Sequence, residues 1–260
     1  MKKSSLSGLT ARTIGNPVYY FESLDSTNRW LKENGNLMPH GTLCWTGFQT
    51  SGRGRLGRKW CAAKGQSVAL SLLIKPSNKA ALLPLICGIA VCDALQLLTG
   101  KTFQIKWPND IICEGYKICG VLCENCLSED GGYAVAGIGI NLDQTAEDFT
   151  KSGLPRAGSV RMVAGRAPAP ELVVASVMNR LEPLCLTLSM YGFSKLRDNY
   201  EKRCINIGRE VRILSPDGVI QLHGVAVGIT ADGRLLVDSG SSIVPVNAGE
   251  LSVRGKDGYF

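Results

Sequence analysis

Hydrophobic positions along this chain follow two different patterns, and the change between them predicts two structural units. Up to about residue 205, apolar strand-like runs alternate with longer helical stretches, which is typical of an α/β arrangement. Beyond that point, short strand-like runs follow one another with turn residues between them. The pattern therefore predicts an α/β unit over residues 1–205 and a small β unit over residues 206–260.

The elements of the first unit can be placed from apolar spacing and capping residues. A capping run at Asp25–Asn28 precedes a short predicted helix. A long apolar helix is predicted over Lys79–Leu98, and a second helical stretch over Ala169–Tyr200 is predicted to break near Pro183 or Gly192. The predicted strands are Leu43–Thr50, Ser67–Ile74, Phe103–Lys106, Ile111–Cys113, Tyr116–Glu124 and Tyr133–Leu142.

The second unit contains five predicted short strands, which favours a small barrel. Turn chemistry separates these strands at Pro216–Gly218, Ala231–Gly233 and Asn247–Gly249. From Gly208 onward the unit has five basic and six acidic residues, a balance that argues against nucleic-acid binding there. The predicted strands are Val211–Leu214, Val219–Ile229, Leu235–Val237, Ser242–Val246 and Leu251–Arg254.

Composition places the chain in an ordinary globular class, with 45% hydrophobic and 20% charged residues. The N-terminus has basic residues with no apolar run after them, so no secretory signal is predicted. The apolar stretch Ala80–Leu98 contains Pro84 and Asp93 and is interpreted as a buried helix, so no membrane segment is expected. Ten cysteines without an export signal indicate reduced thiols, and we expect a cytoplasmic protein.

A cysteine cluster at residues 113–126 raises the hypothesis of a metal site. On the predicted strand, Cys119 and Cys123 would stand about 13 Å apart at roughly 3.3 Å per residue. Side chains so far apart cannot share a tetrahedral zinc ion. We therefore predict no metal centre and interpret these cysteines as small buried apolar side chains.

Charge is concentrated in one segment. Residues 34–92 contain no Asp or Glu but seven Lys and Arg, which equal the formal net charge of +7. Four of the seven lie in the run Gly52–Trp60, interleaved with three glycines. Glycine lets the backbone approach a ligand closely, and the arginine fork matches pairs of phosphate or carboxylate oxygens. The run predicts an anion-binding loop, and the alternative is a solvated basic loop.

This loop does not match the familiar nucleotide-binding loops. Its glycines satisfy G-x-G-x-x-G, but the chain continues into a predicted strand where a dinucleotide fold needs a helix. The phosphate-loop pattern fails at residues 58–60, and the kinase pattern fails at Lys59. The loop therefore calls for a different class of anion site.

Five motifs, in order along the chain, resemble those of biotin protein ligase. The likeness covers roughly residues 15–255, and the joint occurrence of the motifs is far more specific than any one of them. It implies an α/β catalytic domain with a mixed sheet and flanking helices, related to class II synthetases and lipoate transferases, and then a small SH3-like barrel. The motifs are DSTN at Asp25–Asn28, GRGRLGRKW at Gly52–Trp60 with Gln49 before it, KWPND at Lys106–Asp110, K-x-x-G at Lys117–Gly120 and GIGIN at Gly137–Asn141.

The resemblance implies an ATP-dependent ligase. Such an enzyme forms biotinyl-5′-AMP from biotin and ATP, and then transfers biotin to one lysine of a biotin carboxyl carrier domain of a carboxylase. Mg²⁺ is expected with ATP, without a dedicated protein cage. Only about twenty residues precede the first recognisable element, so we expect no repressor function and no nucleic-acid partner. The protein is expected to be a monomer or a homodimer.

The resemblance also implies roles for individual residues. Lys117 would stabilise the attacked phosphate, Asp110 would position or deprotonate the acceptor amine, and the glycines of GIGIN would let adenine approach the sheet. Catalytic roles are implied for Arg53, Arg55, Asp110 and Lys117. Biotin or adenylate contacts are implied for Ser26, Thr27, Asn28, Gln49, Gly52, Arg53, Gly54, Arg55, Lys117 and Gly120. Nucleotide contacts are implied for Arg58, Trp60, Lys106, Asn109, Gly139 and Asn141.

Hairpin geometry, independently of the resemblance, brings Asp110 and Lys117 together. If Glu114–Gly115 forms a two-residue turn, Ile112 pairs with Lys117 and Asp110 opposes Cys119. Asp110 and Lys117 would then be diagonal neighbours about 7–8 Å apart at the backbone, within reach of a lysine side chain. The alternative is a cross-strand ion pair without a catalytic role.

Two other functions fit parts of the sequence. Lipoate ligation is possible on the same fold, and the pair GRGR-x-GR and KWPND favours biotin over lipoate. A non-enzymatic RNA-binding module could use the arginine-glycine loop. That module would bind with a steep dependence on salt and without ATP turnover.

Overall fold

The structure is a computed structural model that describes residues 2–60, 62–76, 79–126, 132–249, 251–255 and 259. Its strands up to residue 141 are β1 Lys2–Ser4, β2 Val18–Phe21, β3 Leu43–Thr46, β4 Gly52–Arg53, β5 Lys59–Trp60, β6 Ser67–Ile74, β7 Gln104–Lys106, β8 Asp110–Cys113, β9 Tyr116–Cys126 and β10 Tyr133–Asn141. The later strands are β11 Glu210–Leu214, β12 Ile220–Ile229, β13 Leu235–Asp238, β14 Ile243–Val246 and β15 Ser252–Gly255. The α-helices are α1 Thr27–Asn34, α2 Leu83–Thr99, α3 Ala146–Lys151, α4 Val160–Ala164, α5 Pro170–Tyr191 and α6 Arg197–Glu201.

Eight strands form one large sheet in the order β1-β2-β3-β6-β10-β9-β8-β7. Strands β2 and β3 run parallel, and the other neighbours run antiparallel. Strands β4 and β5 form a separate hairpin, and strands β11 to β15 form an antiparallel sheet in the order β14-β13-β12-β11-β15. This architecture confirms the predicted α/β fold with a mixed sheet and a small β unit after it.

The two faces of the large sheet carry different layers because side chains alternate along each strand. On β10, Ala134 and Ala136 join the main core with helices α2 and α5, whereas Val135 faces α1. A smaller cluster under α1 contains Leu31 and Leu73. The residues of β10 that follow Val135 at every second position therefore lie on the α1 side of the sheet.

The long apolar helix α2 is a core helix. Eleven of its seventeen residues are buried, and it packs against α5 and the strands behind it. The ranges Ala80–Thr99 and Pro170–Tyr191 are long and apolar enough to cross a membrane by length and composition. Burial in the protein core accounts for the apolar character of α2 without a membrane.

The second unit packs onto the first around one buried tryptophan. Trp107 is 1% exposed, and its indole N–H donates to the Gly233 carbonyl at 3.1 Å. Its backbone N–H donates to the Asn206 side-chain oxygen at 2.8 Å. Gly233 has a φ of +85°, and a Cβ there would come within 2.7 Å of Leu85. The hydrophobic core consequently runs continuously from α2 into the second unit.

Most predicted elements are confirmed, with shifts at their ends. Strand Ser67–Ile74 is as predicted, while the strand that begins at Leu43 ends at Thr46 because its hydroxyl oxygen accepts a hydrogen bond from the Phe48 N–H and turns the chain. The helical stretch breaks at Gly192, and Pro183 stays inside α5. Strands β1 and β2 and helices α3 and α4 were not predicted. The predicted boundary at residues 205 and 206 stays a prediction.

Replacing Trp107 by Phe tests how the two units are joined. The change removes the indole N–H and leaves the buried Gly233 carbonyl without that donor, so we expect the free energy of unfolding to fall by about 1–3 kcal/mol. Denaturant titration measures it. Tyr191→Phe is the control, since Tyr191 is 61% exposed and its change should stay within about 0.5 kcal/mol. Equal unfolding free energies for the two variants would contradict the proposed junction.

Candidate active site

A cavity of about 320 Å³ lies over the α1 side of the large sheet. Its walls come from the start of α1, the β4–β5 hairpin, residues 153–157 and the end of the second unit. Every residue predicted to belong to the site lines this cavity except Gly52. Motifs that are far apart in the sequence therefore meet at one place.

The floor of the cavity is a part of the sheet that carries glycines. A Cβ on Gly137 would lie 2.1 Å from Asn28 Oδ1, and a Cβ on Gly139 would lie 2.6 Å from Cε2 of the Trp60 indole. Both distances are far below van der Waals contact, so any larger residue would displace these side chains. The glycines were expected to let adenine approach the sheet; here they make room for Asn28 and Trp60.

One end of the cavity is polar and uncharged. Ser26 caps α1 by accepting a hydrogen bond from the Arg29 N–H at 3.4 Å, and Ser26, Thr27 and Asn28 are all buried. The Thr27 N–H donates to Gln49 Oε1 at 2.8 Å. The Ser71 hydroxyl lies 2.6 Å from Asn28 Oδ1. Amides and hydroxyls in this arrangement can recognise a neutral ligand that has both donors and acceptors.

The arginine-glycine run folds as a small hairpin at the mouth of the cavity. Gly52 pairs with Trp60, and the Gly54 N–H donates to the Arg58 carbonyl at 2.7 Å. A Cβ on Gly52 would lie 2.4 Å from the Trp60 carbonyl oxygen, so glycine is needed there for the hairpin itself. Arg53 and Arg58 are exposed at this mouth, as an anion-binding loop requires.

Arg55 points toward the second unit. Its guanidinium donates to Asn109 Oδ1 at 2.9 Å, to the Gly249 carbonyl at 2.7 Å and to the Leu251 carbonyl at 3.3 Å, and it also contacts the Ala248 carbonyl. Burial lowers the pKa of Arg55. In this structure Arg55 links the hairpin to the second unit, and its expected contact with an activated carboxylate stays a prediction.

The register of the β8–β9 hairpin differs from the predicted one. Asp110 opposes Gly120, and the prediction that it opposes Cys119 is wrong. The reason is a β-bulge, in which β9 carries an extra residue, Ile118. The bulge brings Lys117 and Gly120 to the same face of the sheet, and Lys117 Nζ lies 2.6 Å from Asp110 Oδ1. The predicted proximity of Asp110 and Lys117 is thus confirmed.

The other end of the cavity is strongly charged and largely buried. Burial alone raises the pKa of Asp110, but the charges of Lys117 and Lys106 outweigh it and hold that pKa below its usual value. Burial lowers the pKa of Lys106 to about 8, with Asp110 opposing the shift. The Tyr259 hydroxyl donates to the Asp110 carboxylate, and its ring lies 4.2 Å from Lys106 Nζ. Two ammonium groups around one carboxylate leave a net positive charge for an anionic ligand.

Asn141 supports the wall of the cavity through hydrogen bonds. Its amide N–H donates to the Gly158 carbonyl at 2.9 Å, and its oxygen accepts from the Gln144 amide at 3.1 Å. The backbone of Lys117 holds the same segment through hydrogen bonds to Arg156 and Gly158. Asn141 therefore helps to fix residues 153–157 over the site, and its expected nucleotide contact stays a prediction.

Sequence reasoning missed part of the cavity wall. Residues 153–157, Arg254 and Tyr259 line the cavity, and no motif in the sequence points to them. Ser71, which does not line the cavity but hydrogen-bonds Asn28, was also missed, although a serine in the middle of the apolar run SVALSLLI is a signal that could have been used. On β6 this serine stands opposite Gly137, on the cavity side of the sheet.

Comparison with known proteins identifies the family. Residues 20–141 match the Biotin/lipoate A/B protein ligase family, and residues 207–254 match the Biotin protein ligase C terminal domain. The bifunctional ligase/repressor BirA of Bacillus subtilis is 30% identical over 251 residues, which cover 95% of this chain and 77% of that protein. The biotin–[acetyl-CoA-carboxylase] ligase of Paracoccus denitrificans is 32% identical over 206 residues, covering 76% of this chain and 85% of that one.

A solved structure agrees with the sequence comparison. The biotin protein ligase of Aquifex aeolicus, in complex with biotin and ATP, superimposes with a TM-score of 0.80 at 30% identity. The match covers 92% of this chain and 99% of that chain. The fold and the site define a ligase, and the chain belongs to the biotin protein ligase family.

Gly137→Ala tests the need for a bare sheet floor. The added methyl would overlap Asn28 Oδ1, so we expect the KM for biotin to rise at least about tenfold, which corresponds to about 1.4 kcal/mol. Steady-state kinetics at saturating ATP measure this change. Gly47→Ala is the matched control, because its nearest neighbour would be the Ser67 carbonyl at 3.8 Å. Unchanged biotin kinetics in the Gly137 variant would show that biotin binding does not need a glycine at this position.

Proposed function

We propose that this protein forms biotinyl-5′-AMP from biotin and Mg-ATP, and then transfers biotin to one lysine of a biotin carboxyl carrier domain. The observation that carries the proposal is the division of the cavity into a neutral polar end around Asn28 and a cationic end around Lys117. Such a cavity suits a ligand with an uncharged ring at one end and a carboxylate at the other.

In the first step, the biotin carboxylate attacks the α-phosphorus of ATP and pyrophosphate leaves. The attacking oxygen and the phosphoryl oxygens are all negative, so the step needs fixed positive charge. Lys117 would stabilise these oxygens, with Lys106 and Arg53 completing the cationic surroundings. Lys117 Nζ is already held by Asp110, which limits the reorganisation that the reaction requires.

The nucleotide would lie beside the Trp60 indole. That ring rests against Gly139 and Gly120, and its buried N–H has no acceptor among the residues that the structure describes. A buried donor without an acceptor is costly, and a ligand acceptor would satisfy it. Asn109, which accepts a hydrogen bond from Arg55, would complete the nucleotide side of the site. Arg58 would contribute to the same side from the mouth of the cavity.

In the second step, the amine of the carrier lysine attacks the acyl carbon and AMP leaves. The amine must be neutral to attack, so a proton acceptor is needed. Asp110 is ionised at neutral pH because Lys117 and Lys106 lower its pKa. We propose that Asp110 orients this amine or accepts its proton. The Tyr259 hydroxyl donates to the Asp110 carboxylate, and the amine would take this hydrogen-bonding position.

Mass measurement of a carrier domain tests the proposal. Incubation with biotin and Mg-ATP should add one biotinyl group to one lysine, while lipoate in place of biotin should modify it at a much lower rate. Modification by lipoate alone would reassign the enzyme within its family. The cytoplasmic location and the expected lack of a repressor function stay predictions.

Substitutions at the ion pair should separate the two steps. Lys117→Ala should slow pyrophosphate release about 10²–10³-fold, since it removes a fixed charge from the transition state. Asp110→Asn should slow transfer from preformed biotinyl-5′-AMP more than it slows pyrophosphate release. Lys101→Ala is the control, because Lys101 forms an exposed ion pair with Glu114, which lies in the turn between β8 and β9. Equal rates for wild type and the Lys117 variant would exclude its catalytic role.

The charge of Lys106 should be visible in the pH profile. Burial lowers the pKa of Lys106 to about 8, so the free enzyme loses this charge as the pH rises through about 8. We expect kcat/KM for ATP, which reports the free enzyme, to fall above that pH. Lys106→Arg keeps its charge and should flatten the fall. An identical profile for both proteins would show that another group titrates.

A further inference from the structure

Behind the neutral end of the cavity lies a carboxylate to which neither the motifs nor the proposed mechanism gives a role. Glu124 stands on β9, opposite Val135 of β10. Its Oε2 accepts a hydrogen bond from Asn28 Nδ2 at 2.8 Å, and its Oε1 accepts from Lys32 Nζ at 2.7 Å. Asn28 and Lys32 lie one turn apart on the same face of α1, and Asn28 lines the cavity.

The contact with Glu124 fixes the orientation of the Asn28 amide. An ionised carboxylate only accepts hydrogen bonds, so the NH₂ group of Asn28 must face it. Burial raises the pKa of Glu124, but hydrogen bonds from Lys32 and Asn28 outweigh this and hold that pKa below its usual value. The same NH₂ group lies 3.2 Å from the Leu122 carbonyl, a second acceptor. Asn28 Oδ1 is therefore turned toward Ser71 and the pocket.

The fixed amide then sets the direction of the neighbouring hydrogen bonds. Ser71 has one hydroxyl proton, and the 2.6 Å contact with Asn28 Oδ1 needs it. The 2.7 Å contact between Ser71 Oγ and Thr27 Oγ1 then takes the proton of Thr27, in preference to the longer 3.2 Å contact between Thr27 Oγ1 and Gln49 Oε1. Gln49 Oε1 accepts from the Thr27 N–H, which turns the NH₂ group of Gln49 away from Thr27.

This ordering defines what a ligand meets. Asn28 Oδ1 and Thr27 Oγ1 keep lone pairs that can accept, and the Gln49 NH₂ group can donate. A cyclic urea has two N–H donors and one carbonyl acceptor, and fits such a set. A ring without N–H groups would leave the buried acceptors unpaired, which is the strongest way in which a polar site rejects a ligand.

We propose that Glu124 is a positioning residue that sets the donor and acceptor polarity of the head-group pocket through Asn28, and thereby favours a cyclic urea over a ring without N–H groups. The inference rests on the proposed function for the identity of the ligand. It gives Glu124 a part in substrate selection without contact with the reacting atoms.

A purely structural role for Glu124 makes different predictions. Its ion pair with Lys32 is partly exposed, with 37% of the Lys32 side chain accessible, and such pairs contribute little to stability. If Glu124 acted only through its ion pair with Lys32, removing either residue would have the same effect on biotin binding. If Glu124 acts by orienting the Asn28 amide, only the loss of Glu124 should weaken biotin binding.

The first arm of the experiment compares Glu124→Ala with Lys32→Ala in the full chain, with biotin as the probe. For Glu124→Ala we expect the KM for biotin to rise at least about tenfold with kcat changed less than about threefold, since the reacting groups are untouched. Its rate ratio for pyrophosphate release with biotin against lipoate should fall by a similar factor. Lys32→Ala should leave both quantities within about twofold of the wild type.

The second arm of the experiment exchanges the amide and the carboxylate between positions 28 and 124. Asn28→Asp places two carboxylates against each other and should weaken biotin binding. Adding Glu124→Gln supplies an N–H donor to the new carboxylate, so the double variant should bind biotin more tightly than the single Asn28→Asp variant. Calorimetric titration with biotin measures both, and this arm remains informative if Glu124→Ala fails to fold.

The outcomes separate the inference from the function on which it rests. Wild-type protein that neither binds biotin nor modifies a carrier domain would overturn the proposed function. With an active wild type, the inference fails if Lys32→Ala matches Glu124→Ala, if the biotin-to-lipoate ratio is unchanged in Glu124→Ala, or if Glu124→Gln does not improve binding by the Asn28→Asp variant.

Discussion

The site depends on one steric constraint, which is that part of a sheet face must carry no side chains. Gly137 and Gly139 of β10 stand beside Leu122 and Gly120 of β9, and the open space above them is taken by Asn28 and by the Trp60 indole. Side chains from a helix start and from a distant hairpin can therefore lie directly on the strands. The floor lies inside an eight-stranded sheet, with paired strands on both of its sides.

The glycine floor of the cavity also brings charged groups and neutral hydrogen-bonding groups close together on one face of the sheet. One rung of the sheet runs from Gly139 through Gly120 and Asp110 to Lys106, so the charged groups continue the row of glycines. Burial strengthens the interaction between Asp110 and the surrounding ammonium groups, because there is less water to screen it. The neutral end, two residues further along β10 at Gly137, depends on ordered hydrogen bonds. A ligand lying across both rungs would have its uncharged ring and its carboxylate recognised by different physical means.

Much of this organisation could be predicted from sequence, because it depends on local rules. Apolar runs and turn residues located the strands, and the Glu114–Gly115 turn placed Asp110 near Lys117. The rest depends on contacts that no local pattern encodes. A bulge at Ile118 shifts the register without a recognisable signal, and Arg55 turns toward the second unit only because the packing of Trp107 places that unit beside it. The glycines of GIGIN were recognised, but what covers them depends on the tertiary fold.

The most direct test of this account is a crystal structure of the protein with biotin and a non-hydrolysable ATP analogue. This structure should show the biotin ring between Thr27, Asn28 and Gln49, its carboxylate within hydrogen-bond distance of Lys117 Nζ, and the α-phosphate beside it. A structure with biotin bound away from the glycine floor, or with its carboxylate far from Lys117, would contradict it.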